Sequence, residues 1–137
     1  RGRVVTGSTL RRMWRAHGPS VGANALGLSQ GYGLGWTVAL APFPCGDGPA
    51  QGGECVRPVV GHAGLAVGTS SYLLMVPPAR SVVPFARPER QDAVTGPLPR
   101  SDDRIVVSVL VNLESVHCQE LALEIAREIE ADLAGSR

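Results

Sequence analysis

Val56-Arg57-Pro58-Val59-Val60-Gly61-His62-Ala63-Gly64-Leu65-Ala66-Val67-Gly68-Thr69-Ser70-Ser71-Tyr72-Leu73-Leu74-Met75-Val76 is the stretch that decides how this chain folds. From Thr69 to Val76, Ser70, Tyr72, Leu74 and Val76 alternate with Ser71, Leu73 and Met75, the period of a strand with one buried face. Pro77-Pro78 close it. Val56 to His62 reads as a second strand, and Gly61-His62-Ala63-Gly64 ends it. Pro58 has no N–H to give a ladder, so it favours an edge or a strand start. The link between the two runs is too short for a helical crossover, which makes the pair antiparallel.

Upstream, Tyr32, Leu34, Trp36, Val38 and Leu40 alternate with Gly33, Gly35, Thr37 and Ala39, which predicts one strand with a large-residue face and a small one. The glycines imply a close approach to the backbone there. Residues 41–55, rich in proline and glycine, and residues 19–30, small and polar, read as loops. Leu10, Met13 and Trp14 fall at helical spacing within residues 9–17, with Ser8 or Thr9 as N-cap and Gly18-Pro19 as a stop.

Downstream, residues 79–103 mix prolines with Arg87, Glu89, Arg90, Asp92, Arg100, Asp102 and Asp103, the composition of a mobile, solvated insertion. Ile105 to Leu113 is nearly continuous in apolar residues and predicts a central strand covered on both faces. From Val116 to Ala134, Leu121, Ile125, Ile129 and Leu133 recur every four residues, predicting a helix with that stripe buried. Its opposite face would carry Glu120, Glu124, Arg127, Glu128 and Glu130. Ser115 can cap this helix and Gly135 can end it.

The sum is an α/β composition of the α+β type: an antiparallel sheet of about four strands, flanked by a short N-terminal helix and a long C-terminal one. With 137 residues there is room for a single domain. A central strand needs two covers and the helices supply little more than one. Either the chain self-associates, or part of its domain lies outside these residues.

Composition removes whole classes of function. Thirteen basic residues balance twelve acidic ones, for a net charge of +1, so nothing electrostatic recommends nucleic acid as a partner. Every basic residue is an arginine, and the chain has no lysine. That excludes a phosphate-binding loop ending in Gly-Lys, a Schiff-base lysine and a Ser-x-x-Lys pair within these residues. No apolar run approaches the roughly 20 residues of a membrane span. The chain starts at Arg1 with no apolar leader, and reads as a fragment whose targeting signal would lie upstream.

Cys45, Cys55 and Cys118 are too few for a disulfide framework, and a reducing compartment is the default. Cys45 and Cys55 flank a glycine-rich loop and can pair if oxidised. The cysteines and the histidines, His17, His62 and His117, lack metal-ligand spacing, so no metal and no cofactor is expected. Gly31, Gly33 and Gly35 lack the spacing of a dinucleotide loop, and no helix follows them. Ser70 and Ser71 lie in no nucleophile elbow and read as strand residues. Tyr32 and Trp36 read as core.

In order along the chain, Tyr32-Gly33-Leu34-Gly35-Trp36, His62-Ala63-Gly64-Leu65, Gly68-Thr69-Ser70-Ser71 and the apolar strand ending at Asn112 resemble the C-terminal third of the serine beta-lactamase-related family. That family includes class C beta-lactamases, penicillin-binding proteins and related esterases and peptidases. The resemblance runs from Leu10 to about Ala131 and makes residues 1–137 the C-terminal part of one beta-lactamase-related domain. Three details resemble most the members found in animal mitochondria: Met13-Trp14 ahead of the first strand, Gly64 to Gly68 followed by Ser70-Ser71, and the charged insertion before Val106. That implies mitochondrial residence.

The resemblance also implies chemistry. An active-serine hydrolase of peptidase or esterase type would take its nucleophile from a Ser-x-x-Lys encoded elsewhere and act on a peptide or ester small molecule. The Lys/His-Thr/Ser-Gly box that walls the cleft maps to His62, Ala63 and Gly64, and the Leu65 amide would donate into the oxyanion hole. His62 would present an imidazole to a substrate carboxylate or leaving group. Ala63 stands where a hydroxyl residue is usual, and Leu65 where a small residue is common; both argue against penicillin-like substrates. They also motivate the alternative, a non-catalytic scaffold that keeps the fold.

Overall fold

The computed structural model of the chain describes residues 4–16, 22–23, 29–44, 54–78 and 104–135. The insertion expected over residues 79–103 lies outside them. The elements run α1 (Gly7–Met13), β1 (Gly22–Ala23), β2 (Ser29–Tyr32), β3 (Thr37–Pro44), β4 (Glu54–Ala66), β5 (Thr69–Val76), β6 (Ile105–Val111) and α2 (Cys118–Gly135). The six strands form one antiparallel sheet in chain order. This is an α+β architecture in which the long C-terminal helix covers one sheet face.

The strand expected from Tyr32 to Leu40 is a hairpin. Alternation carries no information about direction reversal, and Gly35, at φ 77°, takes the left-handed conformation that the turn requires. The Gly33 N–H donates to the Trp36 carbonyl at 2.7 Å to close it. A side chain at Gly33 would run into the Met13 carbonyl oxygen, which accepts instead from the Leu34 N–H at 2.9 Å. The close backbone approach anticipated from the glycines is therefore the docking of α1 on this turn. Helix α1 starts earlier than expected, with Thr6 as its N-cap accepting from the Thr9 N–H at 3.2 Å.

Strands also reach into stretches that read as loops. β1 and β2 lie within residues 19–32, and β3 runs on through Ala41-Pro42-Phe43-Pro44. β4 continues past Gly61 to Ala66, where the two-residue turn Val67-Gly68 leads into β5, with Gly68 at φ 78°. Ala66 faces Thr69 across that turn. A two-residue hairpin closes on a hydrogen-bonded pair, and ladder groups then alternate in direction along the strand. Ala66, Gly64, His62, Val60 and Pro58 thus point their backbone groups to the β5 side, and Leu65, Ala63, Gly61 and Val59 to the β3 side.

This alternation explains how Pro58 sits inside an interior strand. Its register partner is Leu40 on β3, while pairing with β5 begins only at Val60. The missing N–H would face a side that has no strand at that level.

β6 is the last strand of the sheet, not a central one, and its burial alternates residue by residue. Ile105, Val107 and Val109 are buried, whereas Val106 and Leu110 are 65% and 78% exposed. The near-continuous apolar run reflects one covered face plus one bare apolar face.

The core lies between the sheet and α2. Phe43, Val59, Tyr72, Leu74, Val76, Ile105, Val107 and Val109 meet Cys118, Ala122, Leu123 and Ala126. The expected stripe of α2 is rotated: Leu121, Ile125 and Ile129 are exposed, and Leu123 with the small residues Cys118, Ala122 and Ala126 faces the sheet. Large side chains on the strands fill the space that alanines on the helix leave, so volume comes from the sheet. Glu130, expected on the solvent face, is buried against Arg57.

Cys55 is disulfide-bonded, contrary to the expectation of reduced cysteines, and Cys118 is a buried free thiol. Cys45 lies outside the described residues. No helix among these residues is long and apolar enough to cross a membrane.

Candidate functional site

The β3–β4 register stops at Thr37 opposite Gly61. Among the described residues, β4 pairs from His62 to Ala66 with β5 alone, and His62, Ala63, Gly64 and Leu65 are all exposed. Through the alternation set by the Val67-Gly68 turn, the N–H and C=O of Ala63 and Leu65 face the edge that β3 has vacated. An amide on such an edge can donate to a ligand without giving up a ladder bond. The sequence places His62 at a strand end; the structure places it inside β4, at the point where the neighbouring strand ends.

His62 has a partner that the sequence reading assigned to the core. The Tyr32 hydroxyl lies 3.1 Å from Nε2 of His62, and the two rings are tilted at 60° with centroids 6.4 Å apart. Tyr32 is exposed. It ends β2, while His62 lies just past the end of β3 on β4, so the hairpin turn over residues 33–36 brings them together around the short end of β3. A turn at Gly33 to Trp36, read in place of a continuous strand, is the signal that would have found this pair.

On the same face as His62, two residues on, lies Gly64. The Ser71 hydroxyl donates to the Gly64 carbonyl at 3.3 Å, and a Cβ on Gly64 would come 2.5 Å from that hydroxyl oxygen. Ser71 is thus a strand residue, as expected, with its hydroxyl leaning over the glycine. On the opposite face, Tyr72 lies over Gly61, where an added Cβ would approach its hydroxyl at 2.5 Å. Burial pushes the Tyr72 hydroxyl up to about 12.

The hairpin that carries the site is held at its tip. The Gly68 N–H donates to Oε1 of Glu114 at 2.6 Å, tying the β4–β5 turn to the segment after β6. Leu65 projects an exposed side chain at this end. Ala63 offers no hydroxyl, and its register partner is Tyr72. The structure therefore brings His62, Gly64 and the Leu65 amide to one open edge, with Tyr32 and Ser71 beside them. Among the described residues, no three His, Cys, Asp or Glu side chains gather as a metal site would require. No family model, no curated protein and no solved structure matches the chain.

Proposed function

We propose that these residues form one wall of the acyl-transfer cleft of an active-serine hydrolase, of peptidase or esterase type, within a beta-lactamase-like fold. The observation that carries this is the vacated β4 edge, where the Leu65 amide faces outward beside an exposed imidazole. An outward amide on a rigid strand is the geometry for stabilising a tetrahedral oxyanion; losing one such donor costs about 2.7–4 kcal/mol in enzymes of this kind. These 137 residues contain no lysine, so in this reading the Ser-x-x-Lys nucleophile that the family resemblance implies would have to come from elsewhere. Substrates are peptides or small esters, and residence in mitochondria accompanies the family resemblance.

The second reading is a scaffold that retains this fold without catalysis, favoured by Ala63 in place of a hydroxyl residue. Treating the native polypeptide with a fluorophosphonate and mapping the adduct separates the two. A single adduct on a serine followed three residues later by lysine supports the hydrolase. Absence of any adduct on the folded protein supports the scaffold.

A further inference from the structure

We infer that Tyr32 is a positioning residue: its hydroxyl donates to Nε2 of His62, fixes the neutral ring as the Nδ1–H tautomer, and so makes His62 a hydrogen-bond donor to an oxygen of the acyl substrate, not a general base. The contact is 3.1 Å long and links two exposed side chains at the open edge of β4. The 3.1 Å contact permits either direction; the inferred one, from the phenol O–H to an unprotonated Nε2, pairs the more acidic hydrogen with the more basic acceptor. With Nε2 accepting, the neutral ring carries its proton on Nδ1. A base would need a free nitrogen lone pair towards the substrate, and this arrangement leaves none.

Tyr32 is well placed to impose that choice. It enters a turn closed by the Gly33 N–H on the Trp36 carbonyl and pinned to α1 through the Leu34 N–H and the Met13 carbonyl. The donor it prepares also answers a deficit at the site, because Ala63 has no hydroxyl to offer a substrate oxygen. The substrate half of this inference rests on the proposed hydrolase function; the tautomer half stands on the Tyr32–His62 geometry alone.

Nitrogen NMR of the native polypeptide labelled at histidine, with His62 assigned through His62→Gln, reads the tautomer. The expected spectrum of neutral His62 shows a protonated Nδ1 and an unprotonated Nε2, and Tyr32→Phe moves the proton towards Nε2. A protonated Nε2 in the unaltered protein, or no response to Tyr32→Phe, overturns the inference. Hydrolysis of a chromogenic acetate ester then separates donor from base, because glutamine donates a hydrogen bond but is no base. His62→Gln keeping kcat/KM within about tenfold of the unaltered protein, with His62→Ala well below it, is expected for a donor. Equal losses in the two variants contradict it. If the unaltered polypeptide leaves the ester intact, substrate donation fails together with the hydrolase reading, and the nitrogen spectrum still decides the role of Tyr32.

Discussion

Arg57 of β4 and Glu130 of α2 form an ion pair with both side chains out of reach of solvent, 0% and 4% exposed. Arg57 also donates from Nη2 to the Pro77 carbonyl at 2.8 Å and lies 5.6 Å over the Phe43 ring. One guanidinium therefore joins the middle of the sheet, the exit of β5 and the last turns of the helix. A buried pair is costly to break from one side, because the remaining charge keeps its desolvation penalty without its partner. Glu130→Ala should destabilise the fold by about 3–5 kcal/mol. Urea unfolding would show a lower midpoint at unchanged slope; a loss below about 1 kcal/mol would mean the pair is not closed in solution.

Gly61 has no room for a side chain. A Cβ there would lie 2.5 Å from the Tyr72 hydroxyl oxygen and 2.6 Å from its Cε1. Gly61→Ala must push Tyr72 out of the core and should cost about 1–3 kcal/mol. Gly64→Ala meets only the tip of Ser71, which can rotate away, so its thermal midpoint should move much less. Similar losses for the two variants would contradict this contrast.

Tyr72 also makes stability depend on alkaline pH. Its folded pKa is about 12, raised by burial from 10.0. Between those values the unfolded chain releases the phenol proton and the folded one keeps it, so the unfolded state binds fewer protons and stability falls as pH rises. The loss begins near the unfolded value and is complete above the folded one, at about 2–3 kcal/mol for a two-unit shift. Tyr72→Phe should flatten this slope in unfolding experiments. A slope unchanged by that substitution would assign it elsewhere.

The bare face of β6 should make the isolated chain adhesive. Val106 and Leu110 stand exposed on the last strand, and Ile105 to Val111 contains neither a charge nor a proline to protect its edge. The 137-residue chain alone should bind a hydrophobic dye and self-associate. Val106→Glu with Leu110→Glu should abolish both, while changing stability by no more than about 0.5 kcal/mol per exposed site. A monomer that binds no dye before substitution would refute the prediction. In the proposed hydrolase, the remainder of the domain covers this face.

Much of this architecture is legible in the residues, and the departures share physical causes. β5 reads correctly because its alternation is unbroken and Pro77 ends it. The Tyr32–Leu40 alternation hides a turn, since a period of two looks the same on either side of a reversal unless Gly35 is given its left-handed conformation. The α2 stripe is misplaced by a strict four-residue period, because the buried face against Tyr72, Leu74 and Phe43 is Leu123 together with the small residues Cys118, Ala122 and Ala126. His62, Gly64 and Leu65 lie together on the exposed end of β4. The role of Tyr32 is not legible in the sequence, because its partner lies thirty residues on and two strands away, a proximity that the hairpin creates.

The outward amide of Leu65 is the point on which the account turns, and proline tests it. Its N–H faces no strand among the described residues, so Leu65→Pro should leave the β4–β5 ladder and the thermal midpoint nearly unchanged while removing the oxyanion donor. Fluorophosphonate labelling of the native polypeptide should slow by about 10²–10³-fold in this variant. A folded Leu65→Pro protein that labels at the unaltered rate would contradict it.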